Sequence, residues 1–378
     1  MSNFAKQPVM RRVVAVAVVL TTSACADSAS ITAPAAAVPG SASADVIPCS
    51  AEQGQQLIDS GQYKQAIHEF TCLINSDPTA IEGYRGRIEA QLMLGRFSDA
   101  QRDYTRVTAF VEPVHPDAAQ VIVAGYAARL VAAPNSITTL TGLSFAHWYF
   151  FNYPAAIHGA DQLLAVDPNN VFGNLFRGSS RLLHGQARAA GAADLERAIA
   201  LAPASPDVHF IVADAYTYGK MPDIQRAFAE ATDALEGGLN TPRVRAILGA
   251  AYNAFGDVTA AAAQIKIHFD LVTTELVAAP PLAAGTSASL GVVPGRAYEI
   301  PIAVAAGQTV SIMTSSKDYW DTILVLLAPN GTPILGADDT KGYFAGFDWV
   351  APAAGTYRLR VALFEAVNTG QLLVARSN

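Results

Sequence analysis

The chain has 378 residues, 51% of them hydrophobic and 15% charged, so it can bury cores and is not a wholly disordered chain; about 100–200 residues per domain gives two or three domains. Lys and Arg number 25 against 32 Asp and Glu, a formal net charge of −7, which argues against a nucleic-acid-coating protein, since that needs a basic stripe to displace counterions. Three cysteines are too few for a disulfide-framework miniprotein or a four-cysteine zinc site.

Lys6, Arg11 and Arg12 precede an apolar run from Val13 to Leu20, followed by Thr21-Thr22-Ser23-Ala24-Cys25. A cationic region, a short apolar region and small residues are the three parts of a secretory signal. The run falls far short of the roughly 20 residues that span a bilayer. Cys25, just after small residues, resembles the cysteine of a bacterial lipobox, which implies lipidation there and a mature chain starting at Cys25. Thr22 stands where the lipobox usually has Leu, so plain secretion after Ala24-Cys25-Ala26 and an uncleaved anchor stay open as alternatives. Residues 26–46 are almost entirely Ala, Ser, Pro, Thr and Val and read as a disordered tether.

A helical repeat array is expected over residues 47–278. Gly61, Tyr63, Ala66 and Phe70 recur at one fixed offset as Gly95, Phe97, Ala100 and Tyr104. Glycine suits the tight turn of a helical hairpin, and alanine lets two helices approach closely. Pro78 stops the second helix of the first unit. A later copy reads Leu248-Gly249, Tyr252, Gly256-Asp257, Ala261, and two intermediate copies start near Ile137 and Val171. The stretch 205–241 is a weaker pair, interrupted near Tyr218-Gly219-Lys220-Met221-Pro222, and a helix at about 117–133 does not fit the repeat frame.

This pattern resembles the tetratricopeptide repeat. The resemblance implies hairpins that stack into one core with a concave face for extended peptides or partner helices. By the same resemblance, the groove-facing positions of the first helix in each unit are Arg85 and Glu89, then Phe145, Trp148 and Tyr149, then Ser179, and finally Asn253. Arg85 and Glu89 lie one turn apart, so a mutual surface ion pair is the competing reading. For the aromatic cluster Phe145–Phe151, the competing reading is that it packs the 117–133 helix into the array; the functional one is that Trp148 and Tyr149 anchor a ligand.

Cys49 and Cys72 lie at almost equal distances on either side of Gly61, which puts both at the open end of the first hairpin. A disulfide there, in an oxidising compartment, would clip the terminal repeat, worth about 3 kcal/mol in the loop-entropy model; two reduced thiols are the alternative.

Residues 279–284 break the helical pattern, and 285–378 show about eight short alternating strands: Tyr298–Val304, Thr309–Met313, Ile323–Leu327, Phe347–Val350 and Tyr357–Leu363 among them, with a turn signal at Asn330-Gly331. An all-β sandwich or jelly roll is expected. Gly307-Gln308-Thr309-Val310, Asp321-Thr322-Ile323-Leu324, Pro329-Asn330-Gly331 and Gly355-Thr356-Tyr357-Arg358-Leu359 stand in an order that resembles the bacterial pre-peptidase C-terminal domain. That resemblance implies binding to polymers or the cell surface and, in some members, calcium. Asp318, Asp321, Asp338 and Asp339 are the candidate calcium ligands, with turn capping by aspartate as the alternative.

The seven histidines form no HExxH pair, and there is no P-loop, dinucleotide GxGxxG or CxxC. Gly142-Leu143-Ser144-Phe145-Ala146 is one residue from a nucleophile elbow but falls inside an expected helix. The expectation is therefore a non-enzymatic, extracytoplasmic, lipid-anchored adaptor with a protein or peptide partner and no cofactor beyond the calcium considered above. The alternative is a protein that binds carbohydrate or a surface polymer through its β-domain.

Overall fold

The computed structural model describes residues 49–111, 115, 117–185, 187–317, 321–338, 344–364 and 370–377. The signal and tether segments, Cys25, Asp318 and Asp339 lie outside the described residues. The described residues comprise thirteen α-helices followed by nine strands, with one π-helical segment, Val107–Val111. They fall into two compact units: one holds residues up to Leu94 with Asp99–Gly125, the other Gly95–Ser98 with Tyr126–Asn378.

The first unit is built on α1 (Ala51–Asp59), α2 (Tyr63–Ser76) and α3 (Ile81–Met93), with α4 (Phe97–Arg106) from Asp99 on and α5 (Ala118–Ala132) as far as Gly125. Ser50 caps α1 by accepting from the Gln53 amide, and its own amide donates to Glu69 of α2. Phe70 explains two glycines: a Cβ on Gly54 of α1 or Gly86 of α3 would lie 2.6 or 2.1 Å from its ring. With Ile58, Ala66 and Ala90 the ring forms the core of this unit. Cys49 and Cys72 are joined, their Cα atoms 5.9 Å apart. Arg87 is buried inside α3 and grips Asp103 of α4 with two bonds, Nε at 2.7 Å and Nη2 at 2.6 Å, while Nη1 donates to Thr71 of α2.

The second unit stacks four helical hairpins: α6 (Ile137–Tyr149) with α7 (Tyr153–Val166), α8 (Val171–His184) with α9 (Arg188–Leu201), α10 (Pro206–Tyr218) with α11 (Ile224–Glu236), and α12 (Pro242–Ala254) with α13 (Val258–Val272). The period is written in the caps. Ser136, Asn170, Ser205 and Thr241, at nearly equal intervals along the chain, each accept from the backbone amide three positions on and so satisfy the open end of a first helix. The interruption expected within 205–241 is the turn between α10 and α11. The helix at 118–132 reaches this unit at its end, where Tyr126 fills the space beside Gly142 of α6.

Nine strands complete the unit: β1 (Glu275–Ala278), β2 (Thr286–Val292), β3 (Arg296–Val304), β4 (Thr309–Ser316), β5 (Thr322–Leu327), β6 (Pro333–Asp338), β7 (Gly346–Val350), β8 (Gly355–Leu363) and β9 (Gly370–Ser377). They form a five-stranded sheet, β1-β3-β8-β5-β6, and a four-stranded sheet, β2-β9-β4-β7. Ile300, Ile302, Leu324, Leu326, Leu359 and Val361 of the first meet Val310, Ile312, Leu372 and Val374 of the second in the sandwich core. Residues 275–278, placed in the helical array by the sequence, pair in parallel with β3 instead.

The outer face of the five-stranded sheet is covered by the last hairpin. Ala246, Ile265, Phe269 and Val272 share a core with Ala297, Ile323, Val325, Leu327, Ala362 and Phe364. All of β5 is buried, because alternate residues face the sandwich and the helices. His268 of α13 sits in this interface, 3.1 Å from the Phe364 carbonyl and edge-on to its ring at 4.3 Å.

Burial holds the His268 pKa down to about 4, against the opposing pull of the Phe364 carbonyl. The unfolded chain takes up this proton near 6.5 and the folded chain only near 4. The unfolded state therefore binds more protons between those values, and stability falls by up to about 3 kcal/mol as pH drops through that window. Urea midpoints measured from pH 7.5 down to 4 are expected to show this loss. His268→Gln, which keeps a donor for Phe364 without titrating, is expected to flatten it.

Candidate functional site: the aromatic wall of the repeat array

First helices α6, α8, α10 and α12 lie side by side within the second unit. Aromatic side chains from three of them meet on one wall. On that wall Phe145 and Trp148 of α6, Phe176 of α8 and Phe210 of α10 converge around a single ring, Phe97. Centroid distances from Phe97 are 4.9 Å to Phe145, 5.5 Å to Trp148, 6.1 Å to Phe176 and 6.3 Å to Phe210. The Phe145 and Trp148 contacts are edge-on, an arrangement favoured by the ring quadrupoles. Phe97 is 0% exposed.

The residue after it is held as firmly. Ser98 donates its amide (2.9 Å) and its hydroxyl (2.5 Å) to the same Asp207 carboxylate oxygen at the start of α10. Gly95, with φ +72, makes the turn that presents Phe97. This short peptide thus occupies the wall with an aromatic side chain and a charge-assisted serine clamp. It meets α10 through Phe210 and Asp207, a helix buried from Val208 to Tyr216.

The expected groove residues divide accordingly. Phe145 and Trp148 belong to the wall, but they are buried at 0% and 7% exposure rather than open to solvent, because Phe97 stands over them. Tyr149 is half-buried against Phe145. Ser179 and Glu89 are fully buried and so are not open to a groove. Arg85 is half-buried, packed where a Cβ on Gly125 would stand. Asn253 is exposed near the end of α12. Ser144, the centre of the elbow-like pentapeptide, is buried in mid-helix and donates to the Leu140 carbonyl, a geometry with no nucleophile elbow.

Sequence reasoning missed Phe176, Phe210 and Asp207, which stand at different steps from their caps and so share no repeat position that the sequence could show. It also missed an arginine series. Arg177 of α8 binds Asp194 of α9 and Asp161 of α7, as Arg87 binds Asp103 and Thr71; each arginine ties its own hairpin to the preceding helix. Further along the wall Arg243 of α12 pairs with Asp214 of α10 and lies 4.8 Å over the Tyr218 ring.

Among the described residues one group has metal-ligand composition: His209, Glu230 and Asp233. Its geometry favours a proton. His209 Nδ1 is 2.6 Å from Glu230 and Nε2 is 2.9 Å from the Pro203 carbonyl, while Arg226 already holds the other Glu230 oxygen. Burial opposes the imidazolium, but the Pro203 carbonyl and Glu230 outweigh it and raise its pKa. Its contribution is complete below pH 6.5 and lost as pH rises through the folded value, opposite in sign to that of His268. Of the candidate calcium ligands, Asp321 precedes β5 and Asp338 ends β6, at the same end of that strand pair. Asp348 accepts from Ser311 across the β4–β7 pair.

No protein-family model matches the chain, and no curated protein matches it. Solved structures do. A thermophilic TPR protein from Thermus thermophilus is 20% identical, covering 53% of this chain and 96% of its own, with a TM-score of 0.32. A tetratricopeptide repeat protein from Parabacteroides merdae is 16% identical over 58% of this chain and 91% of its own, with a TM-score of 0.36. The pre-peptidase C-terminal domain of a Bacillus anthracis collagenase is 13% identical over 27% of this chain and 94% of its own, with a TM-score of 0.23. These likenesses concern fold alone. The protein is a tetratricopeptide-like helical solenoid followed by a β-sheet region. No helix among the described residues is long and apolar enough to cross a membrane.

Proposed function

We propose that this protein is an extracytoplasmic, lipid-anchored, non-enzymatic adaptor that binds a protein or peptide along the first-helix wall of its repeats. The observation that carries this reading is the seating of Gly95–Ser98: the wall accommodates a peptide turn through both an aromatic pocket and a charged clamp. Beyond that turn the wall runs on to α12, where Tyr218, Arg243 and Asn253 are partly or fully exposed. An aromatic ring with a polar tip beside a guanidinium is the composition of a binding hot spot. Acyl chains on Cys25 would supply the membrane attachment, and the intact mass of the membrane-fraction protein reads that modification directly.

The second reading, recognition of a surface polymer by the β-sandwich, is favoured by a cleft of ≈ 320 Å³ on the four-stranded sheet, lined by Ser311, Met313, Phe347, Asp348 and Ser377 among others. Because α13 and the sheet share a core, the two readings are compared on the intact chain. A photo-cross-linking residue is placed at Tyr218, on the helical wall, or at Val350, on β7, and exposed to envelope extract. Adducts from position 218 and none from 350 are expected; the reverse pattern would favour the polymer-binding reading.

A further inference from the structure

We infer that Gly95–Ser98, the turn before α4 with the first two residues of that helix, is a built-in plug, and that the pocket it fills recognises a partner segment with an aromatic residue followed by Ser or Thr. The inference rests on the adaptor reading and names the partner's chemistry. Three observations carry it. The pocket is assembled from three separate helices, α6, α8 and α10, through Phe145, Trp148, Phe176 and Phe210, so it belongs to the wall and not to one hairpin. Both polar groups of Ser98 converge on a single Asp207 oxygen, a clamp that reads an amide and a hydroxyl together. The occupant also leaves one wall group unmet: the indole Nε1–H of Trp148 is buried without an acceptor among the described residues.

That orphan donor gives the exchange its direction. A buried donor without a partner weakens the state that contains it. A partner segment that fills the ring pocket, reaches Asp207 and also brings an acceptor to Trp148 satisfies the wall more fully than the plug does. The plug in turn lowers the apparent affinity for every competitor by the fraction of molecules in which it is seated, so the wall is open only to segments that match its chemistry.

The probe is the plug's own sequence as a labelled, blocked hexapeptide, acetyl-Gly-Arg-Phe-Ser-Asp-Ala-amide (residues 95–100), titrated into the intact chain by fluorescence anisotropy. Ser98→Ala loosens the plug and leaves the pocket intact; peptide affinity is expected to rise about threefold over the parent chain. Phe97→Ala empties the pocket, and the rise is expected to be at least about tenfold. Phe97→Ala combined with Phe210→Ala is expected to abolish binding. A Phe97→Ala chain with parental far-UV circular dichroism that binds no better than the parent overturns the inference.

Phe97 is fully buried, so hydrogen exchange on the parent chain provides a second measurement that needs no variant. The Ser98 amide is expected to exchange by local opening, at least about tenfold faster than the amides of Phe210 and Val212. Exchange of all three at one common rate overturns the plug. Failure of the peptide with retention of the position-218 adducts also overturns the plug, and leaves the adaptor reading in place.

Discussion

Replacing Arg87 with alanine is expected to destabilise the first unit by about 3–5 kcal/mol, the range for removing one partner of a buried, hydrogen-bonded ion pair. The reason is what it leaves behind. Asp103 is 2% exposed, and its two oxygens are bonded to Arg87 Nη2 and Nε. Without the guanidinium, a buried carboxylate is left with Arg106, 3.8 Å away and half-exposed, as its remaining cation among the described residues. Lysine would not rescue it, since a single ammonium cannot reproduce the two-pronged geometry. A double replacement, Arg87→Met with Asp103→Leu, is expected to recover most of the loss, because apolar side chains of similar volume remove both desolvation penalties. Urea unfolding of the three chains checks both statements. An alanine variant that loses less than about 1 kcal/mol would show the pair to be screened like a surface bridge. Arg177, more exposed than Arg87, is expected to matter less.

The second large effect concerns the join between helices and sheet. Phe269→Ala is expected to cost about 3–5 kcal/mol, the range for truncating a fully buried aromatic, and to destabilise both sides of the join. Phe269 belongs to the cluster that holds Ile323 and Val325 of β5 and Phe364 after β8. Nearby, Gly336 of β6 approaches α13 so closely that a Cβ there would lie 2.6 Å from Ile265. With a core in common, the last hairpin and the sandwich should unfold in one transition. In a chain carrying Trp148→Phe and Trp320→Phe, the fluorescence of Trp349 on β7 and helical circular dichroism at 222 nm, restricted to the second unit's transition, are expected to shift together when Phe269→Ala is added. A sandwich transition that stays fixed while only helical signal moves would contradict the shared core. Leu373→Ser on the exposed face of β9 serves as the control, with a change within about 0.5 kcal/mol.

The fixed offset linking Gly61 to Gly95 and Tyr63 to Phe97 reveals helical hairpins in the sequence, because turn and close-packing positions tolerate few residue types. Strands such as Ile323–Leu327 are equally plain from their apolar runs. That β5 is apolar at nearly every position was a sign of burial on both faces, and hence of a second layer over the sheet; only the packing of α13 gives that sign its meaning. Periodicity places Phe145 and Trp148 on the inner face of α6, yet it carries no information about what stands over that face. The occupant, Phe97, comes from a much earlier stretch of the chain, and its own repeat position marks it as a packing aromatic. Glu89 and Ser179 went astray for a related reason: a polar residue on the expected face of a helix is read as open to solvent, whereas α3 is buried along nearly its whole length from Gly83 to Leu92. The arginine series was present in the sequence as Arg87 before Asp103 and Arg177 before Asp194, two nearly equal steps. Such a step gains significance only when hairpin partners are known to lie opposite each other.

The most direct test of the occupied wall is the solvent access of Trp148. In a chain carrying Trp320→Phe and Trp349→Phe, Trp148 is the single indole. Its acrylamide quenching is expected to be weak, and to rise severalfold when Phe97→Ala is added while helical content is retained. Strong quenching in the parent, or quenching that Phe97→Ala leaves unchanged, would mean that no peptide turn lies against this face.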